Sequence, residues 1–77
     1  MPQYKLKTEQ RKWEGRSVTL LPYQGKDKNW KEVVKPWTGC LFKVASVYLS
    51  ADRKVVFLEL GGLPGLAFDA YKDVKES

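Results

Sequence analysis

Cys40 is the only cysteine in the chain and histidine is absent. Neither a disulfide nor an ordinary Cys/His zinc spacing can therefore staple the fold. A chain of 77 residues buries a smaller share of its surface than a larger domain does, and small domains often need such staples. Here burial of apolar side chains is left as the source of stability. With 43% hydrophobic and 13% aromatic residues, the chain has material for one core and hence for one domain.

The same scarcity of cysteine points to a reducing, intracellular setting. No stretch approaches the roughly 20 apolar residues that span a bilayer. Met1-Pro2-Gln3-Tyr4-Lys5 has no apolar run behind it of the kind a secretory signal carries. The expected location is cytoplasmic, with no membrane partner.

Strand signals dominate from Arg16 onward. Arg16–Tyr23 reads as a first strand that Pro22 brings to a close. Cys40–Leu49 is the strongest strand. Phe42 and Val44 share one face, whereas Val47 and Leu49 have the opposite parity, so the phase slips near Ala45-Ser46. A bulge that bends the strand produces such a slip. After the polar turn Ser50-Ala51-Asp52-Arg53, Lys54–Leu60 forms another strand with Val56, Leu58 and Leu60 on one face. Pro64-Gly65 suits the centre of a type II turn. Leu66–Phe68 is a short strand, Asp69 caps a single helical turn, and Asp73-Val74-Lys75 is the last strand.

Two segments resist that pattern. Residues 1–15 mix charged and polar groups with isolated Tyr4, Leu6 and Trp13, and read as a basic N-terminal tail or edge segment ahead of a domain at 16–77. Residues 24–39 form a long polar connection. Trp30, Val33, Val34 and Trp37 fall on a helical stripe, but Pro36 argues against its continuation. A long loop pinned by its own apolar side chains fits better, and connections of this length are often functional.

The order of elements is that of a small all-β, five-stranded SH3-like barrel, with a long loop after the first strand and one short helical turn before the last. Within it, Gly39-Cys40-Leu41-Phe42-Lys43-Val44 and the closing Leu63-Pro64-Gly65-Leu66-Ala67-Phe68-Asp69-Ala70 resemble small SH3-like barrel proteins encoded by bacteriophages and bacterial mobile elements. The resemblance covers residues 39–75 and implies a fold and a bacterial host cell as the setting. It implies no activity. Signalling SH3 domains carry an acidic loop, a Trp-Trp pair and a Pro-x-x-Tyr, none of which is present, so proline-rich ligands are not expected.

Catalysis is not expected either. Without histidine the commonest general base near neutral pH is missing. Glu59, Asp69 and Asp73 fit solvation and capping, Cys40 fits a small packing residue, and Gly61–Gly65 lacks the Gly-Lys-Ser/Thr of a phosphate loop. No cofactor or metal is expected.

Two features point to binding. Net charge is +5, and residues 1–35 carry all of it, with nine Lys/Arg against four acids. Such asymmetry suits an anionic partner. Aromatics and lysines also mix around the long loop. Tyr23, Lys28, Trp30, Lys31, Trp37, Tyr48 and Tyr71 are the candidate protein-binding residues, since Trp and Tyr dominate interface hot spots. Trp30 is the expected exposed ring and Trp37 the one packed beneath the loop. The alternative is nucleic-acid binding through Lys5, Lys7, Arg11, Lys12, Arg16, Lys26, Lys28, Lys31 and Lys35, which would neutralise phosphates and release counterions. Lysine outnumbers arginine there, which favours nonspecific attraction over base reading.

Overall fold

The computed structural model describes residues 3–77. Five strands, β1 (Ser17–Leu20), β2 (Leu41–Leu49), β3 (Val56–Leu60), β4 (Leu63–Asp69) and β5 (Val74–Glu76), form one antiparallel sheet in the order β4-β3-β2-β1-β5. Two helices accompany it, α1 (Leu6–Trp13) and α2 (Lys28–Val34). The sheet is not closed by hydrogen bonds, because β4 and β5 are its two edges.

β2 organises the sheet. Its first residues pair with β1, with Val18 opposite Phe42, and its second half pairs with β3, with Val47 opposite Leu58. Between Val44 and Ser46 the register shifts, which is where the hydrophobic phase of the sequence slips. The extra residue turns the strand so that apolar side chains on both sides of the bulge reach one core. β3 alternates cleanly, with Val56, Leu58 and Leu60 buried. Val18, Leu20, Val44, Val47, Phe68 and Val74 complete a core to which all five strands contribute. Phe42 and Phe57, which sit in strand patterns and read as core alongside Phe68, are only half-buried.

The hairpin from β3 to β4 corrects one expectation. Leu60 pairs with Leu63, so Gly61-Gly62 makes the reversal in two residues, with Gly62 at φ +93°. A positive φ is cheap only for glycine. Pro64 and Gly65 lie inside β4, an edge strand, where proline's missing N–H leaves no gap in the ladder.

The N-terminal segment is also corrected. It is not a tail: residues 6–13 are a helix packed on β2, while residues 1 and 2 lie outside the described residues. Leu, Lys, Glu, Gln and Arg are all good helix formers. Gly15, at φ +78°, turns the chain out of the helix and donates its N–H to the Val44 carbonyl at 3.1 Å. The buried positions are Glu9 and Trp13, with Gln10 half-buried. Two polar residues on the inner face hide the amphipathic pattern.

The long connection is likewise a helix rather than a loop. The Asp27 side chain accepts the Trp30 N–H at 3.1 Å and caps α2. Pro36 does not break it off but sits in the first turn of a 3-10 segment, Lys35–Trp37, where its fixed φ is accommodated. Val34 enters the core, and Trp30 lies tilted against Phe68 of β4, ring centroids 5.4 Å apart. Cys40, expected to pack, is exposed. Beyond β4, Asp69 Oδ1 accepts the Tyr71 N–H and the Asp69 carbonyl accepts the Asp73 N–H at 2.9 Å, the single helical turn expected before the last strand.

Phe68 is fully buried, lies against Trp30 and sits on an edge strand. Phe68→Ala should cost about 3–5 kcal/mol, comparable to the whole stability of a small domain. Urea denaturation followed by tryptophan fluorescence should show the transition moved to near zero denaturant.

Candidate functional site

The end of β1 and the helix that follows frame an open groove of about 540 Å3. Pro22 stops the strand and turns the chain outward. Tyr23, half-buried, then lies over Gly25, whose position leaves no room for a Cβ beside the tyrosine ring. The Tyr23 hydroxyl accepts the Asp27 N–H at 3.4 Å, just before α2 begins. The ring is thereby set as one wall.

The opposite wall is α2 and its 3-10 extension. Lys28, Lys31 and Lys35 all line the groove, since positions three and seven apart on a helix share a face. Val34 and Thr38 lie deeper, the Thr38 hydroxyl donating to the Val34 carbonyl at 3.3 Å. Glu32 is the single carboxylate among the lining residues. Among the described residues the only ion pair is Arg16–Glu76, at 4.0 Å and largely exposed. The three lysines therefore have no ion-pair partner, and the lining carries a net positive charge.

Of the candidate protein-binding residues, Tyr23, Lys28 and Lys31 meet in this groove, and Lys35 joins them from the nucleic-acid set. The others go elsewhere. Trp30 is not an exposed ring but packs on Phe68, and Trp37 is half-buried against the core. Tyr48 stands 51% exposed on β2, beside a second groove shared with Lys5 and Lys7. Arg11 and Lys26 are exposed outside both grooves.

Tyr71 and Lys12 belong to a latch that pins α1 to the turn before β5. The Tyr71 hydroxyl donates to the Glu9 carboxyl group at 2.9 Å, and Trp13 Nε1 donates to the same group at 2.9 Å. Glu9 is only 6% exposed, so the Trp13 bond is buried and the Tyr71 bond partly so, and a buried unpaired donor is costly. Tyr71 stacks on Tyr4 with centroids 5.3 Å apart and meets the Trp13 edge at 5.6 Å. Lys12 Nζ donates to the Tyr71 hydroxyl at 3.3 Å and lies over both rings. Sequence reasoning missed Glu9 and Trp13. Their spacing of four residues was the available signal.

Three further carboxylates are engaged in local structure. Glu59 Oε2 accepts the Gly65 N–H, Asp73 Oδ2 accepts the Asp69 N–H, and Asp52 Oδ1 accepts from Ser50 Oγ and the Lys54 N–H. The Ser50 bond, then the backbone bond, holds Asp52 below the usual carboxylate range. Among the described residues no group of three Cys, Asp or Glu side chains is placed to hold a metal ion, and no helix is long and apolar enough to cross a membrane. The chain matches no known family model, no curated protein and no solved structure at a significant level.

The latch makes two predictions. Glu9→Ala leaves the Trp13 and Tyr71 donors without their acceptor and should cost about 1–3 kcal/mol in a urea titration, whereas Glu9→Gln keeps one acceptor oxygen and should lose less. Alkali should also loosen α1. Desolvation, then the bond to Glu9, raises the Tyr71 hydroxyl above its ordinary 10.0, and the bond to Tyr71 raises Lys12 above its ordinary 10.5. Folded-state values above the unfolded ones mean that the latch contributes fully below about pH 10 and loses its contribution as pH climbs through the folded values. The urea midpoint of wild type should fall more steeply above about pH 10 than that of Tyr71→Phe.

Proposed function

We propose that the protein is a non-catalytic interaction module of a bacteriophage or mobile element, acting in the cytoplasm of the bacterial host, and that it binds an acidic face of a protein partner through the α2 groove. An inhibitor of a host defence system is one form such a module takes. The observation that carries this reading is the row of Lys28, Lys31 and Lys35 along one wall, without an ion-pair partner, facing the Tyr23 ring across an apolar floor. Charge of one sign on a surface steers an oppositely charged partner, and a buried aromatic edge gives it something to exclude water against. Glu32 in the same rim favours a protein over a phosphate backbone. A protein face can set carboxylates against the lysines and a cation against Glu32, but a row of phosphates meets repulsion there.

An SH3-like barrel is supported by the strand order, by the bulge in β2, and by the edge strands. Phe68 of β4 and Val74 of β5 are buried in the same core. Strands at opposite ends of one sheet reach a common core only if the sheet curls. The resemblance of residues 39–75 to phage-encoded barrels supports the setting.

Capture from a bacterial lysate with wild type and the triple variant Lys28→Glu, Lys31→Glu, Lys35→Glu tests the assignment. Wild type should retain a protein that the variant loses, that nuclease treatment leaves in place, and that an acidic peptide displaces. Identical capture by both proteins would remove the groove from consideration, and loss on nuclease treatment would turn the reading toward nucleic acid.

A further inference from the structure

A second open groove, about 720 Å3, runs between the start of α1 and the end of β2. Its rim differs in kind from that of the α2 groove. Lys5, Lys7 and Arg53 line it, and no carboxylate does. Of the two acids next to lining residues in sequence, Glu9 is buried and accepts from Trp13 and Tyr71, and Asp52 accepts from Ser50 Oγ and the Lys54 N–H of its own loop. Tyr4 donates its N–H to the Arg53 carbonyl at 2.8 Å, which ties the Arg53 turn to the segment just before Lys5. Arg53 itself sits at φ +58°, a conformation that costs an arginine more than a glycine.

On the groove wall stands Tyr48. Its hydroxyl makes a long contact with Glu59 Oε1 at 3.5 Å, and the residue as a whole is half in solvent. It is the one aromatic side chain of this groove, held on a strand rather than on a loop. A planar ring carried on a strand among cations of one sign fits a chain that alternates planar groups with negative charges. We infer that this groove binds single-stranded nucleic acid, with one base stacked on Tyr48 and flanking phosphates set against Lys5, Lys7 and Arg53.

Stacking tolerates any base, because each presents a π face, and the lysines act as point charges. Binding is therefore sequence-tolerant and salt-sensitive. A duplex keeps its bases stacked on one another and has none to offer the ring. An acidic peptide satisfies the cations but brings no obligatory planar group. This site is separate from the α2 groove, and neither assignment depends on the other.

Fluorescence anisotropy with a labelled oligothymidine of about 12 nucleotides, at about 50 mM salt and upward, tests the inference. Wild type should bind, and Tyr48→Ala should weaken binding about five- to a hundredfold, whereas Tyr48→Phe should stay close to wild type. The variant Lys5→Glu, Lys7→Glu, Arg53→Glu should lower the slope of log affinity against log salt by about 2, from about 0.7 per phosphate. All substituted residues are exposed, and matching circular dichroism spectra check that the variants fold. The α2 triple variant should bind as wild type does. No binding at low salt, an unchanged affinity in Tyr48→Ala, loss of binding in the α2 variant alone, or equal competition by an oligoglutamate of the same length would each overturn the assignment.

Discussion

The crossing point of the molecule is the short stretch of β2 around Lys43 and Val44. Two distant parts of the chain, the α1–β1 connection and the β3–β4 hairpin, hydrogen-bond to it. The Val44 N–H reaches the Arg16 carbonyl at 2.8 Å, the Val44 carbonyl receives the Gly15 N–H at 3.1 Å, and the Lys43 carbonyl receives the Gly61 N–H at 2.7 Å. The end of α1, the start of β1 and the β3–β4 hairpin are thus positioned by two consecutive residues, immediately before the bulge. Gly61 approaches so closely that an added Cβ would come within 3.3 Å of the Lys43 carbonyl oxygen. Because the strand changes partner and direction there, the halves of the sheet share one core instead of forming two thin faces. In a chain without cross-links, that sharing gathers enough apolar surface into a single cluster.

Both grooves follow from the same arrangement. α1 departs from the crossing point and runs back along β2, so that its first residues lie near the end of that strand and leave the Lys5–Tyr48–Arg53 groove between them. α2 follows β1 through Pro22 and Tyr23, and sends Val34 and Trp30 into the core beside Phe68. Turning those two apolar residues inward directs Lys28, Lys31 and Lys35 away from the core, because a short helix has no other face to offer. The lysine row is a consequence of how the helix is anchored. Mutating the anchor would disturb the charge pattern as well as the stability.

The second half of the chain was largely legible in sequence for a physical reason. Strand faces alternate with period two, and a slip in that alternation at Ala45-Ser46 is visible without coordinates. The two helices were not legible, each for its own reason. α1 turns Glu9 and Gln10 inward with Trp13, and a buried carboxyl group is intelligible only once Tyr71, 62 residues away, is seen to donate to it. α2 displays its stripe openly, but Pro36 looks like a terminator until it is placed in a 3-10 turn. At the reversal after β3, Gly61-Gly62 and Pro64-Gly65 both carry turn chemistry, and the pairing of Leu60 with Leu63 decides between them. Of the candidate binding residues, the lysines were placed by charge alone and are exposed as charge requires, whereas the aromatics depended on tertiary packing that no local pattern encodes.

That difference bears on what kind of recognition the molecule can support. Ten aromatic residues in 77 suggest a surface rich in hot spots. However, Trp13 and Phe68 are buried, Trp30 and Trp37 lean on the core, and Tyr4 and Tyr71 are spent on holding α1. A small domain without an internal disulfide must take its large rings inward, since each buries far more area than an aliphatic residue. Tyr23 and Tyr48 are left at grooves, each surrounded by lysines. On the proposed reading, recognition rests on one ring plus unpaired cations at each site. Sites of that kind steer a charged partner at long range and weaken as salt rises. The demand for a core thus pushes the surface toward electrostatic rather than hydrophobic recognition.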